Sequence, residues 1–252
     1  MECIGRRILA DNHGMNTTFS GSTVVITGAA GGIGQALARF FVSAGAVVIV
    51  HYWQSESEAH ALKQELGEKC FLYQANLTQQ EEVSRLFANI YRDHHAIDIL
   101  INTVGSFIYK PLPEITVAEF ATVLATNLQA TFACSKAVLP DMMARHTGAI
   151  LNFGCAGADR MPVTEFTVPY YIAKNGVVAL TRALAQSYAP HGISINCISP
   201  GIMENSVADV ATIPAGRRAT YEDIWAAVSY LLSPAASYCN GTNLEVSGGW
   251  TP

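Results

Sequence analysis

Short runs of β-branched and other apolar residues alternate along the chain with longer segments in which apolar residues recur every three or four positions. The first short run is Thr23–Thr27. The segment that follows it places Ile33, Leu37, Phe40 and Phe41 on one helical face. The short runs predict strands and the longer segments amphipathic helices. Further strands are predicted at 47–50, 70–73, 97–101, 149–153, 193–198 and 243–246, and helices at 33–44, 56–66, 79–91, 117–144, 170–188 and 222–232.

Strands separated by helices need crossover connections, which produce a parallel sheet with helices on both faces. The predicted fold class is therefore α/β, with a doubly wound sheet. No linker, repeat or low-complexity segment interrupts the series, so residues 21–252 are expected to form one dinucleotide-binding domain. Residues 1–20 precede the periodic segments and are expected to form a poorly structured extension. Met15 is as plausible a start as Met1.

Composition narrows the possible functions. Half of the 252 residues are hydrophobic and 14% are charged, which excludes a disordered chain and fits a sheet covered on both faces. The net charge is −5 and no dense run of Lys or Arg occurs, so binding to nucleic acid or to an anionic membrane is not expected. The six cysteines lie far apart, so neither a disulfide framework nor a metal site is expected. Without a spanning apolar stretch or a secretory signal, the expected location is the cytoplasm.

The segment TGAAGGIG, residues 27–34, lies where the first predicted strand turns into the first predicted helix. Glycines at this place allow a tight turn and let the backbone approach a pyrophosphate. The unpaired amides and the positive dipole at the helix N-terminus favour the negative charge of that group. A plain strand-to-helix turn is the alternative, and the position in the first strand–helix unit favours the phosphate site.

The segment YYIAK, residues 170–174, begins a later helix. Four residues make about one helical turn, so Tyr170 and Lys174 share a face whereas Tyr171 points elsewhere. A free tyrosine titrates near pH 10. A neighbouring ammonium is expected to lower the pKa of Tyr170 and to suit it to general acid/base catalysis. A tyrosine that merely packs beside a solvated lysine is the alternative.

The glycine-rich turn followed about 140 residues later by YYIAK resembles the short-chain dehydrogenase/reductase family, whose pattern is T-G-x-x-x-G-x-G and then Y-x-x-x-K. The resemblance runs from about Thr23 to Trp250. NTVG at 102–105 stands where the family usually has N-N-A-G. NCISPG at 196–201 and GTNLEVSGG at 241–249 resemble the family's N-x-I-x-P-G and G-x-x-L-x-V-x-G-G.

The resemblance implies a seven-stranded Rossmann-type sheet, a nicotinamide cofactor, hydride transfer to a carbonyl or from an alcohol, and a homo-oligomer, a tetramer or dimer. It implies that Tyr170 is the general acid, that Lys174 contacts the nicotinamide ribose and that Asn127 helps to hold a proton-relay water. The positions that match the family's cofactor-binding residues are Gly28, Gly32, Ile33, Gly34, His51, Ser55, Asn76, Leu77, Asn102, Gly105, Tyr170, Lys174, Pro200 and Gly201.

One departure from the family pattern affects catalysis. A serine normally follows the fifth strand, where its hydroxyl hydrogen-bonds the reacting oxygen, and here Cys155 stands at that position. A thiol is a weak donor, so the oxyanion loses part of its stabilisation unless Thr164 or Thr167 folds back to replace it. The alternative is that Cys155 is a small buried residue without a catalytic role.

The segment HYWQS, residues 51–55, follows the second predicted strand and bears on the choice of cofactor. An acidic residue at this place would hydrogen-bond the adenosine ribose of NAD and repel the 2′-phosphate of NADP. No acid stands there, which favours NADP and leaves NAD possible. The segment is similar to H-Y-x-R-S of pteridine reductases, with Gln54 in place of the arginine. Ser55 could donate to the phosphate or could form an ordinary capping box with Glu58.

The substrate is the least constrained feature. IPAGR, residues 213–217, resembles a segment of 3-oxoacyl-carrier-protein reductases, so a 3-oxoacyl thioester, carrier-bound or free, is the first expectation. A pteridine or another small carbonyl compound is the alternative. A protein that binds NAD(P) with little catalysis is a further one, for which Cys155 is the supporting feature, whereas Tyr170, Lys174 and Asn127 favour an enzyme.

Overall fold

The computed structural model describes residues 18–160 and 165–252. Within these residues, seven parallel strands form one sheet in the order β3-β2-β1-β4-β5-β6-β7. This confirms the predicted α/β class and the seven-stranded sheet. The strands are β1 (Thr23–Thr27), β2 (Val47–Tyr52), β3 (Cys70–Gln74), β4 (Ile99–Asn102), β5 (Gly148–Phe153), β6 (Ile193–Pro200) and β7 (Asn243–Val246).

Helices cover both faces of the sheet. Successive residues of β1 point to opposite sides, so Val24 and Ile26 join a core that contains Leu37, while Val25 joins a second core that contains Leu86. A parallel sheet needs this double cover because its crossover helices lie against both faces. The α-helices of the described residues are α1 (Gly32–Ser43), α2 (Glu56–Leu66), α3 (Gln80–His94), α4 (Val117–Leu124), α5 (Ala130–Arg145), α6 (Val168–Tyr188) and α7 (Tyr221–Leu232).

The long helix predicted at 117–144 is interrupted. A π-helical turn, Ala125–Gln129, separates α4 from α5. The amide of Asn127 lies in this turn and donates to the carbonyl oxygens of Val123 at 3.0 Å and Ser106 at 2.9 Å. A side chain that bonds to backbone in this way competes with the regular helical ladder, and apolar periodicity does not show that competition. π-Helical turns are frequent at functional sites.

Phe19 packs at the start of the described chain. It lies within the N-terminal extension expected from the sequence, yet its side chain is fully buried and its ring centroid lies 4.9 Å from that of Phe41. Its backbone N–H donates to Ala44 at 2.8 Å. The packed part of the chain therefore includes Phe19. The first seventeen residues of the expected extension lie outside the described residues.

A buried row of polar side chains crosses the middle of the sheet. Asn102 at the end of β4 donates to Asn152 of β5 at 2.9 Å, and Asn152 donates to Thr181 of α6 at 2.9 Å. Each of these side chains is fully or almost fully buried, so the bonds satisfy groups that would otherwise be costly to bury. The row joins three elements that border the candidate site: β4, β5 and α6.

Candidate functional site

A cavity of about 1260 Å³ opens at the carboxyl ends of the strands. Its lining includes Gly28 after β1, Thr103 after β4, Gly154 after β5 and Gly201 after β6. The sheet order reverses between β1 and β4, and ligands of open α/β sheets bind at such a switch point. The volume exceeds the roughly 300 to 1,000 Å³ of common small-ligand sites, so a large ligand and a second, smaller one can be held together.

The glycine-rich turn forms one wall of this cavity. Gly28 has φ +68°, and a Cβ there would lie 3.1 Å from Val104 Cα. Gly31 and Gly32 face open space, and α1 begins at Gly32 without a side-chain cap. The backbone amides at the start of α1 are therefore free to bind an anion, as a pyrophosphate site requires.

His51 lies beneath this turn and does not line the cavity. Its Nδ1 accepts from the Gly28 N–H at 3.1 Å, and its Nε2 lies 2.9 Å from the carbonyl oxygen of Ala75. An N–H can only donate, so the ring proton sits on Nε2. Burial lowers the pKa of His51 to about 4, and the ring is therefore neutral at physiological pH. His51 holds the glycine-rich turn in place and supplies no cation to a phosphate.

The segment after β2 forms the next part of the wall. Tyr52, Trp53 and Ser55 line the cavity, and none of them is acidic. Ser55 is the N-cap residue of α2, but its side chain makes no capping hydrogen bond. The capping box with Glu58 is therefore not formed, and the Ser55 hydroxyl is available to a ligand.

Three of the predicted cofactor-binding residues lie behind the wall. Asn76 accepts hydrogen bonds from the backbone N–H and the hydroxyl of Thr78 at 3.1 and 2.7 Å. Leu77 is buried in the core, and Asn102 belongs to the polar row. The structure does not bring these side chains to the cavity. It does bring there Gly28, Gly32, Ile33, Gly34, Ser55, Gly105, Tyr170, Lys174, Pro200 and Gly201.

Tyr170 and Lys174 lie together in the cavity, with Lys174 Nζ 5.6 Å from the centroid of the Tyr170 ring. The predicted lowering of the Tyr170 pKa is wrong for this arrangement. Burial, and then the neighbouring Cys155 and Tyr171, raise the pKa of Tyr170. The Lys174 ammonium donates instead to the carbonyl oxygen of Phe153 at 2.7 Å, and burial lowers its own pKa. Tyr170 is therefore held as the protonated phenol.

Cys155 lines the cavity and belongs to a small buried cluster against which Tyr170 and Tyr171 pack. Burial raises the pKa of the thiol to about 12, although Lys174 and a hydrogen bond from Tyr171 oppose the change. The thiol is therefore protonated and can act as a weak donor, not as a nucleophile. Thr167 also lines the cavity, whereas Thr164 lies outside the described residues.

Asn127 stands behind Gly105 in the π-helical turn. A Cβ on Gly105 would overlap Asn127 Oδ1, so this glycine allows the close approach. Asn127 is fully buried, and its Oδ1 has no hydrogen-bond partner among residues 18–160 and 165–252. An unpaired buried acceptor is costly, and a water or ligand group that donates to it would be stabilised.

The described part of the chain contains no group of three His, Cys, Asp or Glu side chains arranged to hold a metal ion. Among the helices of that part, none is long and apolar enough to cross a membrane.

A short-chain dehydrogenase family model, described as enoyl-(acyl carrier protein) reductase, matches residues 28–251. The chain belongs to the short-chain dehydrogenase/reductase family. As a short-chain dehydrogenase/reductase, it is an NAD(P)-dependent oxidoreductase that uses a nicotinamide cofactor. The expected enzyme class is thereby confirmed.

Relatives within the short-chain dehydrogenases/reductases match almost end to end. The 3-oxoacyl-[acyl-carrier-protein] reductase of Haemophilus influenzae is 35% identical over 242 residues, covering 92% of this chain and 98% of the relative. Nodulation protein G of Rhizobium sp. (strain N33) is 33% identical over 242 residues, covering 92% and 97%. A crystal structure from Agrobacterium tumefaciens, of a protein proposed to be a gluconate dehydrogenase, superposes with a TM-score of 0.85 at 29% identity and covers 92% and 96%.

Tyr171 is a cavity residue that the spacing rule misses. The helical spacing predicts that it points away from the site, but it lines the cavity with its ring centroid 6.0 Å from that of Tyr170. The cavity lies at the first turn of α6, so two adjacent long side chains both reach it. A second aromatic directly after the motif tyrosine was the available signal.

Other lining residues of this short-chain dehydrogenase/reductase are also absent from the predicted set. Several are aromatic, and some follow strand ends, which is the position where ligands bind in parallel sheets. They include Tyr52, Trp53, Phe107, Tyr109, Phe166, Met203 and Trp250.

Proposed function

We propose that this protein reduces a carbonyl compound with NADPH and that Tyr170 donates the proton to the carbonyl oxygen. The observation that carries the proposal is that the Tyr170 side chain lines the same cavity as the free amides of the glycine-rich turn. Burial raises the pKa of Tyr170, which agrees with a phenol that can donate a proton. A proton donor and a dinucleotide site within one cavity suit carbonyl reduction.

The residues present fit a dinucleotide. Gly28, Gly32, Ile33 and Gly34 would hold its pyrophosphate at the start of α1, and Ser55 would lie near the adenosine ribose. When bound, the cofactor supplies the hydride. Lys174 would orient the nicotinamide ribose and stabilise negative charge near Tyr170, and Asn127 would hold a water through its unpaired Oδ1.

NADPH is proposed over NADH because the cavity wall after β2 has no acid, and an uncharged wall does not repel a 2′-phosphate. The uncapped Ser55 hydroxyl supports the same choice. The two dissociation constants measured with the purified protein test this proposal. Tighter binding of NADPH is expected, and tighter binding of NADH would overturn it.

A 3-oxoacyl thioester is the proposed substrate class because several relatives, including that of H. influenzae, are 3-oxoacyl-[acyl-carrier-protein] reductases. The resemblance at 213–217 adds less support. Arg217 pairs with Asp223 at 2.6 Å, and Ile213 is buried, so this segment has a structural role. Pteridine reduction remains the second candidate.

The deciding experiment follows NADPH and NADH oxidation with 3-oxoacyl thioesters, pterins, quinones and simple ketones. Turnover of a carbonyl compound by the wild type, with loss in Tyr170→Phe, supports the proposal. Tight cofactor binding without turnover of any substrate would overturn it and would favour a binding protein.

We further propose a homo-oligomer, dimer or tetramer. Phe132 of α5 and Ile172 of α6 are 47% and 48% exposed, and exposed apolar side chains favour association. Analytical ultracentrifugation tests this, and a monomer at micromolar concentration would overturn it.

A further inference from the structure

Aromatic rings wall the end of the cavity beside Tyr170. Phe107 packs edge-on against the Tyr170 ring, with centroids 4.9 Å apart and planes at 85°. Tyr109 stacks on Phe166, with centroids 5.1 Å apart and planes at 9°. We call Phe107, Tyr109 and Phe166 the aromatic wall.

The aromatic wall is built from two distant segments of the chain. The backbone N–H of Lys110 donates to the carbonyl oxygen of Phe166 at 2.9 Å and holds the segments together. This bond keeps Tyr109, the neighbour of Lys110, close to Phe166, whose ring it stacks on. A surface that is already assembled loses less entropy on binding than one that must first be ordered.

All three rings of the wall line the cavity and remain accessible. The exposed fractions are 59% for Phe107, 68% for Tyr109 and 37% for Phe166. Large apolar side chains exposed together in a concave site indicate an apolar ligand group, because its binding would remove their surface from water.

Charge narrows the ligand further. Lys174 is the one charged side chain among the cavity-lining residues that the structure describes, and its ammonium already bonds to Phe153. Next to the wall, Lys110 pairs with Glu119. A substrate carboxylate or phosphate would therefore find no free cationic side chain in the described lining. An uncharged group fits this end of the cavity.

We infer that the aromatic wall binds an aromatic ring attached to the carbonyl carbon of the substrate, and that the enzyme prefers aryl ketones to straight-chain ones. The inference rests on the proposed carbonyl reduction. Phe107 touches the ring of Tyr170, so a substituent on a carbonyl that is hydrogen-bonded to the Tyr170 hydroxyl would come close to Phe107. Tyr170 would donate its proton to the carbonyl oxygen, the bound cofactor would supply the hydride to the carbonyl carbon, and the product would be a secondary benzylic alcohol.

The test compares a matched pair of substrates, the N-acetylcysteamine thioesters of 3-oxo-3-phenylpropanoate and 3-oxobutanoate. Phenyl is expected to raise kcat/KM by about tenfold or more, because several ring contacts form at once. In Phe107→Leu, Tyr109→Leu and Phe166→Leu, the preference should fall roughly two- to tenfold, mostly through KM. Tyr238→Leu changes a fully exposed tyrosine outside the cavity and serves as the control.

Equal kcat/KM for the two thioesters, or an unchanged preference in all three leucine variants, would overturn the inference. The binding of 1-phenylethanol, measured by calorimetry, is independent of turnover. It should weaken in Phe107→Leu and not in Tyr238→Leu. Weakened binding without turnover of any substrate would reject the proposed function alone, whereas Tyr170-dependent turnover without a phenyl preference would reject this inference alone.

Discussion

Lys174 donates a hydrogen bond from Nζ to the backbone carbonyl oxygen of Phe153 at 2.7 Å. The bond joins the first turns of α6 to the end of β5, and it holds the ammonium against the ring of Tyr170. A buried ammonium needs such a partner. The position of the lysine in the site is thus fixed by the fold before a cofactor binds.

Replacing this lysine tests both of its roles. Lys174→Met keeps the aliphatic chain and removes the ammonium, which leaves the Phe153 carbonyl without its donor. We expect slower turnover, weaker cofactor binding and a loss of about 1 to 3 kcal/mol in the free energy of unfolding. Kinetics, cofactor titration and urea unfolding measure these. Lys136→Met, on the exposed side of α5, is the control. Wild-type cofactor affinity in Lys174→Met would contradict the assigned contact.

Tyr170→Phe removes the proton donor and keeps the ring. Turnover should fall by about 10²-fold or more while cofactor binding persists. Tyr171→Phe is a matched control, since it removes one hydroxyl from the same cavity. The loss of turnover in Tyr171→Phe should be clearly smaller than that in Tyr170→Phe. Activity of Tyr170→Phe within a few fold of wild type would remove Tyr170 from its role.

The raised pKa of Tyr170 predicts opposite pH dependence for the two reaction directions. Reduction needs the phenol, so its rate should stay level from about pH 6 to about pH 9. Oxidation of the alcohol needs the phenolate and should rise with pH across that range without a plateau. Initial rates in both directions measure this. An oxidation rate that levels off near neutral pH would show that the pKa of Tyr170 is low.

Replacing Cys155 tests whether its thiol stabilises the reacting oxygen, as the family's serine position implies. Cys155→Ser supplies a stronger donor at nearly constant volume, and Cys155→Ala removes the weak one. The turnover rate should be highest with serine, intermediate with the native cysteine and lowest with alanine. The alanine variant should be about tenfold slower than the wild type, because a thiol stabilises the developing oxyanion less than an ordinary hydrogen-bond donor does. Steady-state kinetics and melting temperatures of the wild type and both variants measure the turnover and the stability. If neither variant changes either quantity, Cys155 is a packing residue.

His51 is expected to make the free energy of unfolding decrease as the pH falls below neutral. Its folded-state pKa of about 4 lies below its ordinary value, so its contribution is complete above about pH 6.5 and is lost as the pH falls towards 4. We expect a loss of about 2 kcal/mol in the free energy of unfolding between pH 7 and pH 5. Urea unfolding of the wild type and His51→Gln measures it, with exposed His60→Gln as the control. An equal pH slope in all three proteins would contradict the prediction.

Local patterns were sufficient to predict most of the strands and helices and the shared helical face of Tyr170 and Lys174. Each of these depends on spacing within one element, which the sequence displays directly. The parallel sheet followed from the alternation of strands and helices, and its seven strands from the family resemblance. The cofactor role predicted for His51 came from its place at the strand end. The structure turns this side chain under Gly28 because β2 lies beside β1, a relation between elements that spacing alone does not contain.

The aromatic wall could not be predicted from the sequence either, because it also depends on contacts between separate elements. Tyr109 and Phe166 are far apart along the chain, and they meet through the bond between Lys110 and Phe166. Loops have no periodic pattern that would reveal such a contact. The pKa of Tyr170 was mispredicted because burial outweighs the neighbouring lysine, and burial is a property of the folded chain.

The polar row through Asn102, Asn152 and Thr181 fixes the register of β4 against β5. Sliding β4 past β5 by one residue would turn one of the paired amides to the opposite face and leave buried donors and acceptors without partners. Competing strand alignments are therefore penalised during folding. Cys155 follows Asn152 by three residues, and Tyr170 lies on the same helix as Thr181. The contacts that select the native alignment thus also set the spacing of the reactive groups.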